Sequence, residues 1–403
     1  MKTKPTLGKR LVGFIARRPV ISLILGLLGW AALLGGMSGI KANFTHTAFF
    51  FDDDPLLKRF NRFERQFGND DAIVVVVHSP SGIFDLSSAT LLQRLTDKMW
   101  KVSEVIRVDS LANFNWVHAN GDEIEVEPLI PDDQPLTAAI LAARRKVALE
   151  HASLPDYLIS RDGKTALVYA RIKPGIERPP NAAKIVAETR AVVASLAGGD
   201  HRFHITGNPA INNAFKEVSQ KDIKTLIPVV LGLTVLFLGL LLRKVGGVVL
   251  PIVVVVLSVV GALAIAGLLG IELTSATAIL PQALIAIGIA DAVHILSTFY
   301  RARRGGLEKR EAAVHALEKN FLPTILTSVS TAAGFYAFVT ANLKPISGVG
   351  MLAGTGTLLA WFLSYFVMGA LLFLLPSWQR RALVSRRRAF ALGSSDSPRP
   401  GRD

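Results

Sequence analysis

The chain has no cysteine among its 403 residues, which excludes disulfides and thiolate metal sites. Acids are scarce: 31 Asp and Glu face 45 Lys and Arg, a net charge of +14. No phosphate-cradling glycine loop ending in Lys-Ser or Lys-Thr occurs, so ATP is not the evident energy source. No nucleophile–base–acid constellation stands out either. An enzyme is therefore the least favoured class, and no cofactor is expected. What the chain has in excess is apolar residues: 50% are hydrophobic, and the mean hydropathy is +0.40. They gather in runs near the ~20 residues that cross a hydrocarbon core about 30 Å thick.

Six such runs predict six transmembrane helices, at 19–40, 226–242, 248–269, 276–299, 323–341 and 348–375. The first could be a cleaved signal peptide. Its apolar run is longer than a typical signal core, however, and no clear small-x-small cleavage site follows, which favours an uncleaved anchor. Basic residues hug the ends of the runs. Residues 1–18 carry six Lys and Arg and no acid, Arg243 and Lys244 close the second run, 299–319 carry six bases against three acids, and 377–403 carry seven against two. Residues 41–224 hold 23 bases and 24 acids and are nearly neutral. A basic excess placed this way is a topology signal rather than a nucleic-acid footprint. Alternating sides puts all four basic segments in the cytoplasm and 41–224 outside. A multi-pass protein of the cell inner membrane, both termini cytoplasmic, is the expectation.

Residues 41–224 read as an extracytoplasmic α+β domain. Strands are predicted at 72–78, 105–113, 165–172 and 201–206, and helices at 87–101, 137–151 and 181–197. Strand–helix–strand followed by strand–helix–strand is the split ferredoxin-like pattern. Residues 113–136, rich in acid and proline, read as an excursion between the halves. The expected fold is a six-helix polytopic bundle, five of its helices within 225–376, carrying a ferredoxin-like, porter-type domain. Residues 307–319 and 377–391 look like amphipathic helices on the inner face, and the end of the tail looks disordered.

Asp291 is the only acid well inside any run. It lies ten residues before Arg301, about 15 Å along a helix. A carboxylate at that depth costs several kcal/mol unless it is protonated, paired or hydrated. Burial favours the protonated form, and a group that loads and releases a proton is what a proton relay needs. The alternative is a structural Asp bonded to a neighbouring helix. His294, three residues on, shares a helix face with it and could hold the proton or cap a hydrogen-bond chain. Two ligands make no closed metal site. The fifth run supplies Thr324, Thr327, Ser328, Ser330 and Thr331. Thr327 and Thr331 are one turn apart and could face Asp291, or could simply pack. The glycines of 348–356 and 261–270 read as close-packing positions, and the Gly-Gly pairs at 246–247 and 305–306 as hinges.

One span, a large outer domain and five further spans resemble one repeat of the resistance–nodulation–division superfamily. Residues 285–296 (IAIGIADAVHIL) are similar to that superfamily's fourth-helix motif, most of all in the branch of mycobacterial large membrane proteins and hopanoid transporters. Residues 205–213 (ITGNPAINN), with Asn208 and Pro209, resemble the domain-to-membrane junction, and 51–67 resemble the element after the first span. Spans two to six look like a sterol-sensing-type bundle. The resemblance covers roughly residues 10–380. It implies that Asp291 carries protons, and that the substrates are lipids or other hydrophobic, amphiphilic molecules moved by the proton-motive force. It also implies a twelve-span transporter, of which this chain supplies one six-span half. A homo-oligomer, a second polypeptide or a truncated product could account for that. Rival expectations are an accessory role in protein export, like the Sec subunits D and F, and a lipid sensor that transports nothing.

Overall fold

The computed structural model describes residues 6–68, 70–174 and 180–375. The expected tail helix at 377–391 lies outside them. Among the described residues, six helical stretches are long and apolar enough to cross a membrane: Pro19–Gly39, Asn208–Leu242, Val245–Leu269, Ala276–Arg304, Lys309–Thr340 and Lys344–Leu374.

A helix absent from the sequence reading comes first. Helix α1 (Leu7–Arg17) buries Val12 and Ile15 completely. Helix α2 (Pro19–Leu33) follows, with proline at its start, where the missing N–H costs nothing. It tightens into a 3-10 turn at Leu34–Gly39. There the backbone meets the third span: a Cβ on Gly36 would stand 2.0 Å from the Ala264 carbonyl oxygen, and one on Gly267 would stand 1.9 Å from that of Gly36. Apolar helices gain little by hiding from lipid, so contacts this close supply the association energy.

The α+β region begins with α3 (Pro55–Phe67), capped by Asp54, whose carboxylate accepts from the Leu56 and Leu57 amides. Then come β1 (Ala72–His78), α4 (Leu86–Met99), β2 (Val105–Asp109), β3 (Asn115–Asn120), β4 (Glu123–Pro128), α5 (Ala138–Glu150), β5 (Thr165–Ile172), α6 (Ala182–Leu196) and β6 (Arg202–Thr206). Four strands form one sheet in the order β2-β5-β1-β6, every neighbouring pair antiparallel. In β5 buried and less buried positions alternate, as a strand with one covered face requires. Leu92, Leu95 and Met99 of α4 and Ile185 of α6 share the core with Val75, Val77 and Val168. The second strand stops at Asp109, short of the expected 113, and the stretch read as an excursion holds the β3–β4 hairpin. Arg144 of α5 pins that hairpin, 2.7 Å from Glu127 and 4.2 Å over the Trp116 ring.

Gly207 turns β6 into α7 (Asn208–Leu242), a continuous 35-residue helix. At 1.5 Å per residue α7 is about 52 Å long, well beyond the apolar run that begins at 226. Helix α8 (Val245–Leu269) and a 3-10 turn at Ala276–Ile279 lead to α9 (Leu280–Arg304). Helix α10 (Lys309–Tyr336) corrects an expectation. Residues 307–319 do not lie on the surface as a separate helix: they begin α10, and Ala312, Ala313, Ala316 and Leu317 are fully buried in the bundle. Helix α11 (Lys344–Leu363) passes through a π-helical segment, Ser364–Gly369, into α12 (Ala370–Leu374).

Candidate functional site

Helix α9 turns one stripe inward: Leu284, Gly288, Asp291 and Ile295, spaced four, three and four residues apart. Gly288 lets Val255 and Ala360 approach to 3.3 and 3.4 Å from where a Cβ would stand, tighter than most side chains would allow. Asp291 is thereby sealed in the bundle, 5% exposed. Ser328 of α10 donates a hydrogen bond to its Oδ2 at 2.8 Å. Among the described residues, no Lys or Arg forms an ion pair with Asp291.

The buried face of α10 runs through Phe321, Thr324, Ser328 and Ala332. One turn from Ser328 toward the basic end, the Thr324 hydroxyl lies 3.1 Å from the Tyr365 hydroxyl and accepts from the Trp361 indole N–H at 3.3 Å. Tyr365, fully buried, lies in the π-helical segment. The rings of Phe321, Trp361 and Tyr365 lock together with centroids 5.0 to 5.8 Å apart. The Ser364 hydroxyl, next in sequence to Tyr365, is buried without a hydrogen-bond partner among the described residues. An inserted π turn often marks a functional position in a helix.

The other sequence candidates fall elsewhere. Thr327 is exposed, and its hydroxyl donates to the Pro323 carbonyl at 2.8 Å. It therefore does not face Asp291. Thr331 is half-buried and makes no hydrogen bond to Asp291. His294 is also exposed and makes no hydrogen bond to Asp291. The sequence reading named Ser328 and Thr324 without selecting them. Their signal was available: with Phe321 and Ala332 they complete an i, i+3/i+4 stripe. Tyr365 carried no such signal, because the π turn that holds it shifts the helical register.

At the ends of the helices that adjoin the α+β region, two cavities of about 790 and 380 Å³ meet at Glu272. The larger is polar, lined by Asn43, Thr45, Asn61, Glu64, Asn213 and Lys216 among others. Glu272 accepts from Asn43 at 3.2 Å and pairs with Lys344 at 3.5 Å; Lys344 also reaches Asp52 at 3.1 Å. In the α+β region, His118, Glu125 and Glu127 bring ligand atoms within 4.8 Å of one another. Arg144 already pairs with a Glu127 oxygen at 2.7 Å, so one of the two carboxylates has a cation beside it.

The family profile described as MMPL matches residues 48–401, nearly the whole chain. The chain belongs to the MMPL family. With six helices long and apolar enough to span a bilayer, this MMPL protein is a multi-pass membrane protein. Two relatives bracket it. A stretch of 91 residues, 22% of this chain, is 42% identical to the hopanoid transporter HpnN of Rhodopseudomonas palustris, of which it covers 10%. Over 389 residues the chain is 22% identical to the putative membrane protein MJ1562 of Methanocaldococcus jannaschii, covering 92% of each protein. This MMPL chain thus spans a tenth of the first relative's length and most of the second's.

Proposed function

We propose that this chain is a proton-coupled secondary transporter of lipid-like or amphiphilic molecules, in which Asp291 loads and releases the proton. The observation that carries the reading is a carboxyl group buried inside the bundle with one hydroxyl donor and no cation among the described residues. A lone carboxylate in such surroundings is expensive, and protonation removes the cost. The two protonation states therefore favour different packings of α9 against α10, and a proton gradient biases the exchange between them. Ser328 accepts from the neutral acid as readily as it donates to the ion, so it serves both states. Thr324, Tyr365 and Trp361 continue a polar path toward the basic end.

Orientation follows the basic residues: that end faces the cytoplasm of an inner membrane, and the polar cavity at Glu272 opens outside. The strand order β2-β5-β1-β6 with α4 and α6 supports a ferredoxin-like, porter-type domain. The lipid-like substrate rests on family membership and on the name of the hopanoid relative. As a six-span half, the chain works as a homo-oligomer or beside a second half.

The test is transport in proteoliposomes with an imposed pH gradient and a fluorescent amphiphile as cargo. Asp291→Asn is expected to reduce gradient-driven movement to the rate of protein-free vesicles. Normal movement by that variant would end the proposal.

A further inference from the structure

At the basic end of the bundle, a crevice of about 560 Å³ opens among the α7–α8 turn, the end of α9, the start of α10 and α12. Four cations line it, Arg243, Lys244, Arg303 and Lys309, with Tyr300 between them and no acid. Its remaining wall is apolar and mostly aliphatic, including Val249, Leu250, Leu371 and Leu372. We infer that this crevice binds an anionic phospholipid from the leaflet at the basic end, its phosphate beside Arg243 and Lys244 and an acyl chain along the apolar wall.

Like charges are held together there at a cost. Arg303 and Lys309 stand close enough to repel one another. Both also serve the fold: Arg303 donates to the Leu307 carbonyl at 2.7 Å, and Lys309 to those of Phe373, at 2.7 Å, and Leu375. Those bonds anchor the two side chains at the mouth. Arg243 is held in a left-handed conformation (φ 51°) by the turn between α7 and α8, and its Nε donates to the Leu240 carbonyl. Neither Arg243 nor Lys244 has an acidic partner among the described residues. Close packing at Gly247, where a Cβ would lie 2.8 Å from Leu242 and 3.3 Å from the Tyr300 ring, sets that ring at the rim. Its hydroxyl has no hydrogen-bond partner among the described residues, which leaves it free to donate to a phosphate oxygen. Basic pockets between transmembrane helices at the membrane surface are suited to acidic headgroups. A soluble anion would use the cations but not the apolar wall, which decides in favour of a lipid. This inference does not depend on the proton-coupled reading, because its readout is retention of lipid rather than transport.

The experiment uses the full chain in nanodiscs of mixed phosphatidylglycerol and phosphatidylcholine, released into mild detergent and weighed by native mass spectrometry. Wild type is expected to retain phosphatidylglycerol in preference to phosphatidylcholine. Arg243→Gln with Lys244→Gln is expected to lower that retention by about thirtyfold. Equal retention of the two lipids by wild type would overturn the inference whatever the variant does. So would undiminished retention by the double variant, or displacement of the lipid by millimolar inorganic phosphate.

Discussion

Ser328 and Thr327 are neighbours in sequence but point about 100° apart around α10, because a helix turns that far per residue. Only Ser328 reaches Asp291. Replacing Ser328 with Ala removes a hydrogen bond to a buried acid, a loss of about 1.5–3 kcal/mol. Gradient-driven transport is expected to fall by about tenfold or more. Thr327→Ala, which removes only a bond to its own helix, is expected to stay within about twofold of wild type. Initial rates in proteoliposomes check both. At this scale the sequence made Asp291 legible, since one acid in a long apolar run is conspicuous. Which hydroxyl faces it was not legible, because five hydroxyl residues within eight positions cover every side of the helix. His294 shows the same limit: a three-residue offset left it at the edge of the buried stripe, and the packing of neighbouring helices decides which edge is covered.

Among the elements, α4 depends on its N-cap. Burial pushes the Asp85 carboxyl up, but hydrogen bonds from Ser81 and from the Ser88 amide and hydroxyl outweigh it and hold it below its ordinary value. Because the folded value is the depressed one, this stabilisation is full above the unfolded value of 3.8 and fades as pH falls through the folded value. Asp85→Ala is expected to cost about 1 kcal/mol. Hydrogen exchange of the α4 amides in the full chain should rise to match at neutral pH, and the difference from wild type should shrink in acid. The 3-10 turn at Leu34–Gly39 makes a different demand. Gly267→Ala places a methyl group against the Gly36 carbonyl, and the overpacking is expected to cost about 1–3 kcal/mol, read as a lower Tm in mild detergent. Hydropathy found the apolar runs behind these elements but misjudged where the helices begin. The first 18 residues of α7 are too polar to register as membrane, and α1 and the start of α10 hide their apolar sides against other helices rather than against lipid.

For the molecule as a whole, α7 is the link. It leaves the sheet at Gly207, whose φ of 98° suits only glycine, and packs farther along against α8 and α9. A Cβ on Gly207 would stand 2.0 Å from the Ala72 carbonyl oxygen at the start of β1. Gly207→Ala should therefore loosen the sheet from α7 and lower transport, while the Asp291–Ser328 bond, far along the bundle, remains. The central claim concerns the Asp291 carboxyl itself. Infrared difference spectra of the full chain in nanodiscs, titrated in pH and compared with Asp291→Asn, measure its protonation directly. A protonated-carboxyl band that disappears reversibly as the pH is raised, and is missing from the variant, is the expected result. Spectra in which Asp291 is ionised at every pH tested would contradict a proton-carrying role.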